Sequence, residues 1–230
     1  MKKGKLIVID GTDGSGKATQ TAFLARALKK RKIKVKTIDF PQYYKNFFGE
    51  FLGRCLAGHY KEFLSIHPKI VSVLYAADRF ESKKQIENWL VKGFIVIVDR
   101  YVSSNQIHQG GKIKNSGKRR DFMRWLEKME YEIFGIPRPD IIFYLDIPVS
   151  ISRKLLSSGF SKSKKKYLKG RKDVAEKNVA HLEASRRSAL KLVGELNNFV
   201  KIQCMKNGNL MLPKEIHKEI YEKVKGILNK

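Results

Sequence analysis

Residues 5–19 read Lys-Leu-Ile-Val-Ile-Asp-Gly-Thr-Asp-Gly-Ser-Gly-Lys-Ala-Thr, an apolar run that breaks into glycines and then into a helical pattern. Gly11, four intervening residues, Gly16 and Lys17 match a phosphate-binding loop up to its last position, where the pattern wants Ser or Thr. Ala18 stands there instead, and a hydroxyl comes one residue later at Thr19. Gly11, Gly14 and Gly16 let consecutive backbone N–H groups turn inward around phosphate oxygens, where a Cβ atom would obstruct them. The helix that follows adds its positive dipole end. Lys17 supplies a point charge for the β and γ phosphates, and the hydroxyl missing at position 18 is the one that ordinarily ligates Mg²⁺.

A glycine-rich turn can also do no more than join a strand to a helix. The context here argues for binding, because an apolar strand precedes the glycines and Thr21, Phe23, Leu24, Ala27 and Leu28 follow at helical spacing. The nucleotide-binding set is therefore Gly11, Thr12, Asp13, Gly14, Ser15, Gly16, Lys17, Ala18 and Thr19.

The remaining chain alternates strands with helices. Residues 33–40 alternate apolar and polar side chains and stop at Pro41; residues 94–98 and 140–146 are apolar runs of central-strand type; residues 199–204 make a fifth strand. Between them, residues 66–91 form a long helical stretch broken near Ser82, residues 121–134 are amphipathic, and residues 173–196 resume a helix. Residues 106–117 are rich in glycine and lysine and are expected to be mobile. The result is a doubly wound α/β fold, a five-stranded parallel sheet with right-handed crossovers, in one domain over residues 1–230. Residues 157–176 have the composition of a basic flap, a lid that would close over ATP and exclude water. The chain's start is too short in apolar residues for a signal peptide and no run could span a membrane, so a cytoplasmic location is expected. Cys55 and Cys204 lack disulfide or zinc spacing and read as packed thiols.

Lys and Arg number 48 against 22 Asp and Glu, a formal charge of +26. That excess invites a nucleic-acid reading. The cations are spread over nearly every surface, however, including the polar face of the C-terminal helix opposite Ile216, Ile220, Val224 and Ile227, so a solvated lysine-rich exterior is the simpler account. Nucleic acid is not expected as a partner. Asp99 and Arg100 stand at the carboxyl end of a central strand, where ligands gather in open parallel sheets. An Asp can hold Mg²⁺ or its water, and an Arg can fork onto phosphate.

Several segments together resemble the thymidylate kinases, nucleoside monophosphate kinases of the P-loop class. They are residues 11–17, Phe40-Pro41, Tyr-Ala-Ala-Asp-Arg at 75–79, Asp-Arg-Tyr at 99–101 with Ser-Ser-Asn-Gln-Ile-His-Gln at 103–109, Pro139-Asp140, and Leu-Asp-Ile-Pro at 145–148. The resemblance implies transfer of the γ-phosphoryl group of ATP to dTMP with Mg²⁺. It implies that Tyr75 stacks on thymine, that Arg79 donates to its O4, that Asp13 accepts from the sugar 3′-hydroxyl and that Arg100 holds the dTMP phosphate. Phe40, Ser104, Asn105, His108 and Gln109 would line the same pocket, Arg153 would flank adenine, and the protein would be a homodimer. His108 is expected to pack beside the deoxyribose.

The chain also departs from the family pattern. With Ala18, Mg²⁺ must rely on phosphates, water and Asp99, unless Thr19 substitutes. Tyr43 replaces an arginine that some members direct at the acceptor phosphate. Gly14 occupies a place that is basic in some members, and the resemblance then places catalytic cations in the lid, where Arg171 is preferred and Lys169 second. Other outcomes stay open: a related deoxynucleoside or deoxynucleotide kinase of different base specificity, a basic nucleic-acid-binding ATPase, or an inactive nucleotide-binding module.

Overall fold

The computed structural model describes residues 3–157, 168 and 173–228. Five strands, β1 (Leu6–Gly11), β2 (Val35–Asp39), β3 (Ile95–Asp99), β4 (Ile141–Asp146) and β5 (Phe199–Gln203), form one parallel sheet in the order β2-β3-β1-β4-β5. The order reverses at β1, which pairs on one side with β3 (Val8↔Val98) and on the other with β4 (Val8↔Ile142). A crevice at the carboxyl ends of the strands follows from that reversal.

The strands read as continuous apolar runs because both faces of the sheet are covered, and the period of two sends alternate residues to opposite sides. Leu6, Val8, Val96 and Val98 enter one core with Ile86 and Leu90 of α4 (Lys83–Val91) and Leu192 of α9 (Val179–Glu195). Ile7, Ile9, Ile95 and Ile97 enter the opposite core with Leu24 and Leu28 of α1 (Lys17–Lys30) and Ile216, Ile220 and Val224 of α10 (Pro213–Leu228). A smaller cluster joins α2 (Phe47–Leu56) to α3 (Pro68–Glu81) through Leu52, Cys55, Leu56, Phe63 and Val71. Cys55 and Cys204 are buried free thiols.

The long helical stretch does break at Ser82, which ends α3 and starts α4. Of the segment expected to be mobile, 106–117, the first part is packed instead, and residues 114–116 are exposed. The segment contains the end of α5 (Val102–His108), a single turn at Gly110–Lys112 and the start of α6 (Ser116–Glu127), and Gln106, Gln109 and Gly110 are buried. Gly111 permits the close approach, since a Cβ there would lie 2.9 Å from the Ala184 carbonyl oxygen of α9. Composition misled there because glycine served packing rather than freedom.

Two further features escaped the sequence reading. A π-helical turn, Lys128–Ile133, extends α6. A small antiparallel hairpin, β6 (Met205–Lys206) with β7 (Asn209–Leu210), turns through Asn207 and Gly208, both at positive φ. The Asn-Gly pair was an available signal for it. The remaining helices are α7 (Val149–Ser157) and α8 (Val174–Lys177). The expected lid at 157–176, with its cations Arg171 and Lys169, falls mostly outside the described residues.

Candidate active site

The glycine-rich loop leaves β1 and enters α1 through Gly16, a left-handed N-cap with φ 91° that makes no side-chain capping bond. The first N–H groups of α1 thereby stay available at the positive end of the helix. Gly14, at φ 82°, passes so close to α7 that a Cβ would collide with the Ser152 carbonyl. Lys17 is buried, and its Nζ donates to the carbonyl oxygens of Gly11 at 3.1 Å and Thr12 at 3.0 Å, with Asp13 Oδ1 at 4.0 Å. Burial, then the nearby Arg100 charge, lower the ammonium's pKa below its usual value. The hydroxyls of Thr12 and Ser15 are buried without a hydrogen-bond partner among the described residues. Ala18 and Thr19 are exposed on the first turn of α1.

At the end of β3 the chain turns sharply, with Arg100 at φ 67°. Its guanidinium gathers several groups. Nη2 donates to Asp13 Oδ1 at 2.6 Å, while Nη1 lies 3.0 Å from His108 Nε2, 3.4 Å from Ser104 Oγ and 3.7 Å from Asp10 Oδ1. Burial alone would weaken the guanidinium's hold on its proton, but Asp13, Asp10 and Asp99 raise its pKa. Asp10, which the sequence reading passed over, is fully buried and accepts from Gly11 N at 2.8 Å, Ser103 Oγ at 2.6 Å and Ser104 Oγ at 2.8 Å. It ties the loop to α5. Asp99 is half-buried on the same wall; burial pushes its carboxyl up to about 6, against the pull of Lys17 and Arg100.

His108 was expected only to pack beside a sugar; here it also braces Arg100. An arginine can only donate, so Nε2 accepts and Nδ1 carries the proton toward Ser185 Oγ at 3.0 Å, whose hydroxyl donates to the His181 carbonyl at 2.8 Å. Burial and Arg100 hold the His108 pKa well below the usual histidine range, so the ring is neutral. His181 of α9 stacks on it at 5.6 Å between centroids.

On the far side, Arg79 of α3 is 2 % exposed and pairs with fully buried Glu130 of the π-helical turn: Nε to Oε2 at 2.7 Å and Nη2 to Oε1 at 2.5 Å. Its Nη1 donates to the Tyr101 carbonyl at 3.3 Å. Burial would lower the arginine's pKa, but Glu130 more than offsets it. Asn105 Nδ2 donates to Glu130 Oε1 at 2.8 Å and to the Ser72 carbonyl at 3.1 Å. Tyr75 is half-buried beside the α2–α3 cluster, and burial raises its phenol's pKa, keeping it neutral. Phe40 is buried against Tyr101. Gln109 is 5 % exposed with a buried Oε1 that has no partner among the described residues.

These groups meet in one cleft of about 700 Å³, walled by the loop from Asp13 onward, by Phe40, Tyr43 and Tyr75, and by Asp99, Arg100 and α5. Arg79, Ser104, Asn105, His108 and Gln109 all reach it. Gly11 and Thr12 lie beneath rather than on its wall, and Arg153 is exposed on α7, away from the lining, where Leu155 and Leu156 stand instead. Lys112 lines the cleft too, donating to the Leu64 carbonyl at 2.8 Å, with burial lowering its pKa to about 8. Neither Glu130 nor His181 carried a sequence signal, since their contacts join residues far apart in the chain.

The sequence profile described as thymidylate kinase matches residues 9–206. A thymidylate kinase of Plasmodium falciparum is 32% identical over 147 residues, which span 64% of this chain and 63% of that protein. The human thymidylate kinase is 26% identical over 153 residues, 66% of each chain. A solved structure of thymidylate kinase from Candida albicans superposes with a TM-score of 0.71 over 99% of this chain and 93% of its own at 20% identity, a likeness of fold. With the profile running from within β1 past β5, over most of its length, this chain belongs to the thymidylate kinase family.

Proposed function

We propose that the protein transfers the γ-phosphoryl group of ATP to dTMP, giving dTDP and ADP. The observation that carries this reading is the convergence, in one cleft, of a phosphate loop with an aromatic, two arginines and an amide suited to a pyrimidine nucleotide. Backbone N–H groups of residues 13–19 and the Lys17 ammonium take the phosphates of ATP; Arg100 takes the acceptor phosphate; Asp13 accepts from the sugar hydroxyl. Tyr75 covers the face of the base and Arg79 donates to its carbonyl. Transfer is direct and in line, and the protein's part is to position two anions and neutralise the charge spread over the moving group.

Mg²⁺ fits the residues present. Asp99 is a half-buried carboxylate that accepts no hydrogen bond from the described residues, a setting that favours a cation. Asp99 would hold the ion, mainly through its water, and Thr19 is the alternative oxygen. When bound there, Mg²⁺ would supply neutralisation of charge on the phosphates of ATP. Arg171, with Lys169 as alternate, supplies the lid cation. The enzyme works in the cytoplasm as a homodimer joined through helix faces; Ile70, Val73 and Phe80, exposed along α3, offer such a face.

The test is a coupled assay with Mg-ATP over the four deoxynucleoside monophosphates, UMP and thymidine. dTMP should be the best acceptor. A different best acceptor would remove the roles given to Tyr75 and Arg79, and ATP turnover driven by DNA but not by dTMP would replace the whole reading.

A further inference from the structure

Glu130 receives bonds from two residues that face the cleft, Arg79 and Asn105, and is itself out of reach of any ligand at 0% exposure. The π-helical turn makes this possible. An extra residue in a helical turn rotates the side chains that follow it, and here consecutive Met129 and Glu130 both point inward.

The chemistry of the bonds fixes what each reader shows. Asn105 Nδ2 sits between two groups that can only accept, Ser72 O at 3.1 Å and Glu130 Oε1 at 2.8 Å. Turning the amide over would set its oxygen against both, so Oδ1 is the atom left for the cleft that Asn105 lines. Arg79 is held along its Nε–Nη2 edge by the carboxylate, and Nη1, bonded at 3.3 Å to Tyr101 O, keeps a further N–H for an acceptor in the cleft. The cleft thus presents one fixed donor beside one fixed acceptor. That pair complements a base edge bearing N3–H and a C4 carbonyl. It opposes cytosine, whose N3 accepts and whose N4 donates, at both positions.

We propose that Glu130 is a positioning residue that sets the base specificity of the acceptor site by fixing the orientation of Asn105 and Arg79. This rests on the dTMP kinase reading above and names a determinant that reading did not contain.

Glu130→Gln tests it with little change of shape. Glutamine offers one acceptor oxygen and one NH₂ where Glu130 receives three N–H groups, Arg79 Nη2 and Asn105 Nδ2 on Oε1 and Arg79 Nε on Oε2, so one side is left facing a donor. With the oxygen on Arg79 Nε, the NH₂ faces Asn105, which turns over and shows N–H to the cleft; with the oxygen at the Oε1 place, Arg79 loses its Nε partner and with it the fixed donor. The expected result is a fall of about 100-fold in kcat/KM for dTMP, mostly in KM, with dCMP affected far less, so the dTMP:dCMP preference drops at least about 10-fold while the KM for ATP stays put. A folded Glu130→Gln protein that loses dTMP and dCMP turnover in equal proportion, or neither, overturns the role. Should that variant not fold, the wild-type enzyme decides. N3-methyl-dTMP inhibiting as well as dTMP binds would overturn the orientation assigned to Asn105, and inhibition weaker by about 10-fold or more upholds it. Wild-type turnover of dTMP, measured alongside, separates failure of this role from failure of the kinase reading.

Discussion

Lys17 and Arg79 are both buried cations on the wall of one cleft, yet Lys17 rests on two backbone carbonyls whereas Arg79 is locked to a carboxylate. Burial and then the Arg100 charge outweigh the pull of Asp13, Asp99 and Asp10, so the lysine's pKa is lowered and its charge is available to an arriving phosphate. A carboxylate partner overcompensates, so the arginine's pKa is raised and its position is set before any ligand comes. Under the proposed function, the donor half of the cleft holds a charge that can move with the transferring group. The acceptor half holds a template that cannot.

The sharpest way to break this contrast is to remove each cation. Lys17→Met should lower kcat by about 10³-fold, because charge stabilisation in the transition state is lost, while dTMP binding by calorimetry changes little. Its melting temperature should hold or rise. Arg79→Ala should behave oppositely: it strands the Glu130 carboxylate in the interior, at a cost of about 3–5 kcal/mol, so a clear drop in denaturation midpoint should accompany a KM for dTMP raised about 10- to 100-fold. Equal stability losses in the two variants would erase the distinction.

Asp99 sharpens the donor side. Its carboxyl titrates near 6 because burial disfavours the charged form, so the ionised carboxylate is present above that pH and is lost as pH falls through it. The kcat/KM for Mg-ATP should therefore decline below pH 6, and Asp99→Asn should lack that acid limb while requiring more Mg²⁺ at neutral pH. The smallest effect is expected at position 18. Ala18 is exposed on the first turn of α1, and Ala18→Ser should shift the Mg²⁺ concentration for half-maximal rate by no more than about 3-fold if Asp99 and water already suffice. A larger shift would mean that the missing hydroxyl limits the enzyme.

The donor half was legible in the sequence because it is built from neighbours in the chain: strand, glycines, Lys17 and helix follow one another within residues 5–19. The parallel strands were legible for a related reason, as burial on both faces writes continuous apolar runs. In the other half the residues proposed to read the base, Tyr75, Arg79 and Asn105, showed only through resemblance, and their supports not at all. Glu130 lies 51 residues from Arg79 and 25 from Asn105, in a stretch whose period of 3.6 would not turn it inward without the π-helical turn. α5 was missed because Ser103, Ser104, Asn105 and Gln106 have the composition of a loop; it is a helix whose polar side chains are spent on Asp10, Glu130 and Arg100.

The 2.6 Å pair between Arg100 and Asp13 carries one more consequence. Arg100 already holds an anion before any nucleotide arrives, so under the proposed function an acceptor phosphate would enter by exchange, displacing a carboxylate rather than meeting a bare charge. Its affinity is then a difference between two similar pairings, and much of the Coulomb attraction cancels. What does not cancel is the fate of Asp13, which gains a hydroxyl to accept from only if the ligand brings one. A ligand with phosphate alone replaces one partner of the pair; a ligand with phosphate and a correctly spaced hydroxyl replaces both. In a chain of formal charge +26, where any polyanion is drawn to the surface, such an exchange lets the cleft select by the second group and not by the charge.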